Sequence, residues 1–216
     1  KTERRVDRVV LDPNFKTTPI KTLNPSQIEA LTAIKSHFNE RKVALLHGVT
    51  ASGKTEVYAA LIKEALSRGE QVLYLLPEIA LTTQLITRLQ SYFGTAVSVY
   101  HSKYNIQERV EVWQNVVNES PKAQLIVGAR SALFLPFKKL GLVIVDEEHE
   151  NSFKQFDPAP RYHARDSAIV LAHISKAPIV LGSATPSLES IQNVLQHKYG
   201  LAELTKRHAN ISMPSI

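Results

Sequence analysis

Residues 1–22 show no sustained alternation of apolar and polar positions and contain Pro13 and Pro19, so they read as an extended leader. A helix starts cleanly after them. Asn24 suits the N-cap, Pro25 the first helical position, and Gln27 stands three residues past the cap, as in a capping box. Ile28, Leu31 and Ile34, with Ala30 beside them, supply its apolar face. From there apolar runs alternate with segments of helical periodicity. Strands are predicted at 43–47, 71–76, 96–100, 124–127, 142–145 and 179–181, and helices at 54–68, 79–93, 107–118, 162–174 and 188–197. The run Leu142-Val143-Ile144-Val145 is apolar on both faces, as befits a strand covered by helices on each side. Repeated strand–helix units with short connections define an α/β fold, a doubly wound and mostly parallel sheet. One domain is expected at 23–200, between the leader and a tail at 201–216. Trp113, with Val110, Val116 and Val117 near it on a helical face, reads as core.

Composition narrows the class without naming the chemistry. In 216 residues, 44% hydrophobic and 21% charged content exclude a disordered chain. No apolar run approaches the ~18 residues of a membrane span, so no membrane contact is expected. The sequence opens at Lys1 without an initiator methionine or a signal-peptide pattern. With no cysteine, disulfides, thiolate metal sites and cysteine nucleophiles are excluded, and a cytoplasmic location is the expectation. The 26 Lys and Arg against 20 Asp and Glu leave +6, a mild bias toward a polyanionic partner. Nine basic and five acidic residues fall in positions 1–42, so +4 of that excess sits where a solvated linker explains it equally well.

The strongest local pattern is Gly48-Val49-Thr50-Ala51-Ser52-Gly53-Lys54-Thr55, a full match to G-x-x-x-x-G-K-[ST] between a predicted strand and a predicted helix. Glycines let successive backbone N–H groups curl around a phosphate, and the following helix N-terminus adds its partial positive charge. Lys54 can then reach the β- and γ-phosphates of ATP, and the Thr55 hydroxyl can ligate Mg²⁺. A glycine-rich turn with a chance lysine is the other reading, and the flanking elements weigh against it.

Ninety-two residues after Lys54, a four-residue apolar run ends in Asp146-Glu147-Glu148-His149. In open α/β sheets ligands bind at the carboxyl ends of strands, which is where Asp146 is expected. Asp146 is assigned to Mg²⁺ and Glu147 to the water that attacks the γ-phosphate, which with Lys54 makes three catalytic residues. An acidic helix N-terminus would account for the carboxylates alone, but not for their pairing with a phosphate loop. The second carboxylate also favours hydrolysis over a small-molecule kinase, which must exclude water from the transferred phosphate.

These segments, taken with Pro77-Glu78-Ile79-Ala80-Leu81-Thr82, Gly128-Ala129-Arg130-Ser131-Ala132-Leu133-Phe134 and Gly182-Ser183-Ala184-Thr185-Pro186, resemble in content and order the motifs of the first motor lobe of superfamily 2 helicases. The segment from Phe153-Lys154-Gln155 to Arg161-Tyr162-His163-Ala164-Arg165-Asp166 is similar to that of the bacterial primosomal replication-restart helicases. The resemblance covers roughly residues 23–190. It implies a RecA-like P-loop NTPase lobe that, in the whole protein, drives 3′→5′ translocation and unwinding of DNA at stalled forks and reloading of the replication machinery. Single-stranded and forked DNA, single-strand-binding protein and primosome proteins are the implied partners. ATP and Mg²⁺ are the implied ligands, with zinc confined to a part of the family absent from this chain. The resemblance also makes Gln27 a reader of adenine, a role that its capping function accompanies or replaces. It makes Ser183 and Thr185 couplers of nucleotide state to DNA, with His149 linking them to the acidic tetrad; as plain residues they would cap the helix at 188–197. Glu78 and Arg130, at predicted strand ends, become DNA contacts, although a structural ion pair would explain Arg130 equally well. The second lobe, which supplies a catalytic arginine, lies outside this sequence, so the lobe alone is expected to hydrolyse ATP poorly. Fork-reversal translocases, RNA helicases and, more distantly, kinases are the alternatives.

In the segment after the acidic tetrad, Phe153, Phe156, Tyr162 and His163 are interleaved with Lys154, Arg161 and Arg165 around Pro158 and Pro160. Aromatic faces can stack on bases while cations hold the backbone, which grips single strands without sequence choice. All seven are therefore candidate DNA contacts. The competing reading packs the aromatic rings beneath a long loop.

Overall fold

In a computed structural model of the protein, residues 17–40, 42–101 and 104–204 are described. Most of the expected leader and tail lies outside them. Helix α1 (Pro25–Glu40) is followed by β1 (Val43–Gly48), α2 (Lys54–Ser67), β2 (Gln71–Leu75), α3 (Thr83–Phe93), β3 (Val97–Tyr100) and α4 (Ile106–Val117). Then come β4 (Leu125–Gly128), β5 (Leu140–Asp146), α5 (Ala164–Ile174), β6 (Ile179–Ser183), α6 (Leu188–Leu195) and β7 (Gly200–Leu204).

The seven strands form one sheet in the order β3-β4-β2-β5-β6-β1-β7, with every neighbouring pair parallel. Strand alternation sends side chains to two separate cores. Ala44, Leu46, Val72, Tyr74, Ile144 and Val180 meet Ile34 of α1, Ile62 of α2 and Leu89 of α3. Leu45, Leu73, Leu75, Val143, Val145 and Leu181 meet Val112 and Val116 of α4 and Ala168 and Ala172 of α5 on the other face. Because all strands run the same way, every strand-to-helix connection carrying a sequence motif emerges at one edge. Only β6 separates β1, which ends at Gly48, from β5, which ends at Asp146. Ninety-two residues of sequence thus shrink to two strand spacings, about 10 Å.

The structure departs from the sequence reading in several places. Residues 200–204, read as the domain's end and the start of a tail, form the edge strand β7 beside β1. Gly200 lies under the His37 ring, where a Cβ would stand 1.9 Å from the ring carbon, so this strand start has to be glycine. Helix α3 begins at Thr83 and not at 79, because the Thr82 hydroxyl accepts the Leu85 N–H and caps it. In α1 the inward face is Gln27, Ala30 and Ile34, while Ile28 is exposed. In α4, Val112 and Val116 enter the core and Trp113 is 47% exposed, so Trp113 is not a core residue. Among the described residues, no helix is long and apolar enough to cross a membrane.

Candidate nucleotide site and the adjoining loop

The phosphate loop leaves β1 at Gly48 and enters α2 at Lys54. Ala51 and Gly53 adopt positive φ values of 62° and 86°, and Gly53 is the helix N-cap. A Cβ on Gly48 would stand 2.8 Å from Ser52 Oγ and 3.1 Å from Lys54 Cγ, so the loop closes too tightly for a side chain there. Val49 N donates to Leu204 O at 3.2 Å, fastening the loop to β7, and Ser52 N donates to Val49 O at 3.0 Å. Ser52 Oγ is buried with no hydrogen-bond partner among the described residues. An orphaned buried hydroxyl inside a tight turn at a helix N-terminus fits an anionic ligand. Thr50 is exposed and Thr55, in the first turn of α2, is half-buried.

Lys54, buried, donates from Nζ to Gly48 O at 3.0 Å and lies 3.7 Å from Glu147 Oε1. The lysine of the loop and the carboxylate assigned to the water therefore meet at one point. Asp146, at the end of β5, is buried. Its carboxyl is raised from 3.8 to about 6, mainly by burial and then by the neighbouring Glu147 charge, against the opposing pull of Lys54 and of hydrogen bonds from Tyr74 and Tyr58. Glu147 has φ 51°, a left-handed conformation that costs about 1–3 kcal/mol for such a residue and recurs at functional sites. Its other oxygen lies 3.8 Å from His149 Nδ1.

His149 Nδ1 shares a 2.7 Å hydrogen bond with Ser183 Oγ, which also accepts the Thr185 N–H at 3.0 Å. The three coupling residues expected from the resemblance thus form one chain from the acidic tetrad to the segment after β6. They do not cap α6; Ser187 does, accepting from Ser190 N. Gln27 fulfils the capping box, its Oε1 accepting from Asn24 N and its backbone N–H donating to Asn24 Oδ1. Its Nε2 donates to Gly53 O at 3.3 Å, so the carboxamide is committed within the protein and braces α1 against the phosphate loop.

Glu148, unassigned from sequence, is the most heavily tied residue of the tetrad. Fully buried, it accepts from Arg165 at 3.0 Å, from the Ser187 N–H at 2.7 Å and from the Ser187 and Ser190 hydroxyls. Arg165 also donates to Ser187 Oγ and to Asp166. The expectation that Arg165 contacts DNA is corrected: its guanidinium is spent inside the lobe, joining the start of α5 to the acidic tetrad and to α6.

Phe153 requires the same correction, being 1% exposed in the core. The rest of the segment projects as a closed loop. Lys154 and His163 form an antiparallel bridge, Gln155 N donates to Tyr162 O at 2.8 Å, and Gln155 Nε2 reaches Pro158 O and Pro160 O. Lys154, Phe156 and Arg161 are exposed, with Lys154 Nζ 5.0 Å from the Phe156 ring centre. His163 is half-buried, and burial lowers its pKa. Tyr162 stacks edge-on with Phe134 at 5.1 Å. Phe134, 63% exposed, carries no role in the sequence reading; an aromatic residue closing the segment 128–134 is the available signal. Arg130 donates to Ser152 O and Lys154 O, so it anchors the loop's backbone. With Pro77, Glu78, Ala129, Ser152 and Phe153 it lines a groove of about 200 Å³.

A parallel sheet with a phosphate loop, two carboxylates at a nearby strand end and a polar chain to the next strand defines a RecA-like P-loop α/β lobe. Residues 24–194 match the family model of DEAD/DEAH box helicases, and the chain belongs to that family. It is 42% identical to the replication restart protein PriA of Bacillus subtilis, over 95% of this chain and 25% of that protein. Identity to the PriA of Chlamydia muridarum is 45%, over 90% of this chain and 26% of the relative. The chain thus spans about a quarter of the length of these relatives. Two solved structures share the fold. RecG bound to a three-way DNA junction has a TM-score of 0.62 at 21% identity, over 90% of this chain and 25% of that one. The DUF1998 helicase MrfA bound to DNA gives 0.56 at 18%, over 88% and 31%.

Proposed function

We propose that this chain is the first motor lobe of an ATP-dependent DNA helicase acting in replication restart, with hydrolysis coupled to 3′→5′ movement along single-stranded DNA. The observation that carries the reading is the meeting of Lys54 and Glu147 at 3.7 Å, beside Asp146 and below the phosphate loop. Similarity to replication restart proteins supports the replication-restart role; DNA forks, single-strand-binding protein and primosome proteins are the partners that this reading proposes.

In this reading the backbone N–H groups of the phosphate loop other than those of Val49 and Ser52, which stay bonded within the protein, bind the triphosphate, and Lys54 moves from Gly48 O to the β- and γ-phosphates. Thr55 and Asp146 would hold Mg²⁺, which neutralises charge developing on the phosphates. Glu147 orients the attacking water and accepts its proton. The exposed loop at 154–162, with Phe156, Tyr162 and Phe134 as stacking faces and Lys154 and Arg161 as backbone contacts, grips single-stranded DNA.

The test is ATP hydrolysis by the full-length protein with forked DNA, single-stranded DNA and RNA as activators. Stimulation by both DNAs and not by RNA is expected. Equal or greater stimulation by RNA would replace this reading with that of an RNA helicase.

A further inference from the structure

Two tyrosines that no motif contains converge on the Asp146 carboxylate. Tyr58, one turn into α2 beyond the phosphate loop, donates to Oδ1 at 3.1 Å, and Tyr74, on β2, donates to Oδ2 at 3.1 Å. Oδ1 also accepts the Glu147 N–H at 3.1 Å. Both rings are fully buried and pack edge-on, 5.6 Å apart. The Tyr58 hydroxyl reaches Asp146 through a notch in the adjacent strand. Gly182 pairs in register with Asp146, and a Cβ there would lie 1.7 Å from Tyr58 Oη and 3.1 Å from Asp146 Oδ1. No side chain other than glycine's hydrogen leaves that space. A buried hydroxyl normally needs a partner, and neither of these donates to a backbone carbonyl. Instead each takes one oxygen of the same carboxylate, and one strand gives up a side chain to allow it.

We propose that Tyr58 and Tyr74 are positioning residues that fix the orientation of the Asp146 carboxylate toward the ion bound with the nucleotide, and that Gly182 is glycine in order to admit Tyr58. The proposal rests on the assignment of Asp146 to that ion. Two donors from different elements hold both carboxylate oxygens, so the group cannot swing about its Cβ–Cγ bond without breaking one of them. Residues that orient a metal's carboxylate ligand typically matter tenfold to a hundredfold to metal affinity. The arrangement also places α2, β2, β5 and β6 around one carboxylate, so displacement of the segment after β6 shifts the wall against which Tyr58 rests.

The experiment compares the affinity of the full-length protein for a fluorescent ADP in Mg²⁺ with that in EDTA, the ratio being the gain due to the ion. Tyr58→Phe and Tyr74→Phe each lower that ratio about tenfold, with the affinity in EDTA within twofold of wild type. Gly182→Ala lowers it at least as far; should that variant not fold, the two phenylalanine variants decide. Asp146→Asn separates the two layers of the argument. If it abolishes the Mg²⁺ gain while both phenylalanine variants keep it within twofold, the tyrosine proposal is overturned and the assignment of Asp146 stands. If Asp146→Asn keeps the gain, the assignment itself falls and the proposal falls with it.

Discussion

The nucleotide edge at Asp146 and the loop that begins eight residues later, at Lys154, are held in opposite ways. Around Asp146 nearly everything is buried and fixed by side chains. A carboxyl is raised to about 6, Glu147 stands at positive φ, and Ser52 keeps a buried hydroxyl without a partner among the described residues. The loop at 154–162 is exposed and closed mainly by its own backbone and by Gln155, with its cationic and aromatic tips outward. The first region is a preorganised site that accepts unfavourable local energies. The second carries its chemistry on exposed tips, over a backbone held by its own bonds, by Gln155 and, at its start, by Arg130. Between them stands the Glu148–Arg165 pair, which belongs structurally to the first and is covalently continuous with the second.

Four perturbations should sharpen this contrast. Glu147→Gln removes the water's base and should lower DNA-stimulated ATP hydrolysis about a thousandfold while nucleotide binding persists, as read by steady-state turnover and fluorescent-nucleotide titration. Retained hydrolysis would break the assignment of roles at the nucleotide edge. Arg165→Ala leaves the Glu148 carboxylate buried without its counter-charge, so a loss of about 3–5 kcal/mol is expected in urea unfolding. A loss below about 1 kcal/mol would place Arg165 with the exposed loop after all.

The third concerns pH. Because the folded state raises the Asp146 pKa from 3.8 to about 6, the native protein binds a proton more tightly than the unfolded chain does. Its contribution to stability therefore falls as pH rises through that window, by up to about 3 kcal/mol, and stays low above it. Unfolding in EDTA at pH 4.5 and 7 should show this dependence in the wild type and much less of it in Asp146→Asn. The smallest effect belongs to the loop. Phe156→Ala should weaken single-stranded DNA binding about tenfold, in line with ~1–3 kcal/mol per stacked base, and leave the melting temperature within about 2 °C. A large fall in melting temperature would show that the ring is part of the fold and not of the grip.

Much of the architecture was legible because its signals are local. The apolar runs at β2 and β5 mark strands buried on both faces, and the phosphate loop, acidic tetrad and capping box are each defined within eight residues. What escaped depends on partners far along the chain. β7 has a burial alternation only five residues long, and its identity comes from pairing with β1. Phe153 and Arg165 look like their neighbours Phe156 and Arg161; only the tertiary fold turns one pair inward and leaves the other outside. Trp113 went outward because α4 needs only Val112 and Val116 to cover its edge of the sheet. Tyr58 and Tyr74 were hidden for the opposite reason, each a large ring within a run that periodicity had already explained as core.

The hydrogen bond from Val49 N to Leu204 O gives the last strand an unexpected standing. β7 is an edge strand, gripped by β1 on one side only, and Leu204, the last described residue, sits beside the phosphate loop. The edge strand is thus part of the phosphate cradle itself: a substitution that unpairs it from β1 loosens the loop at Val49 without touching the nucleotide.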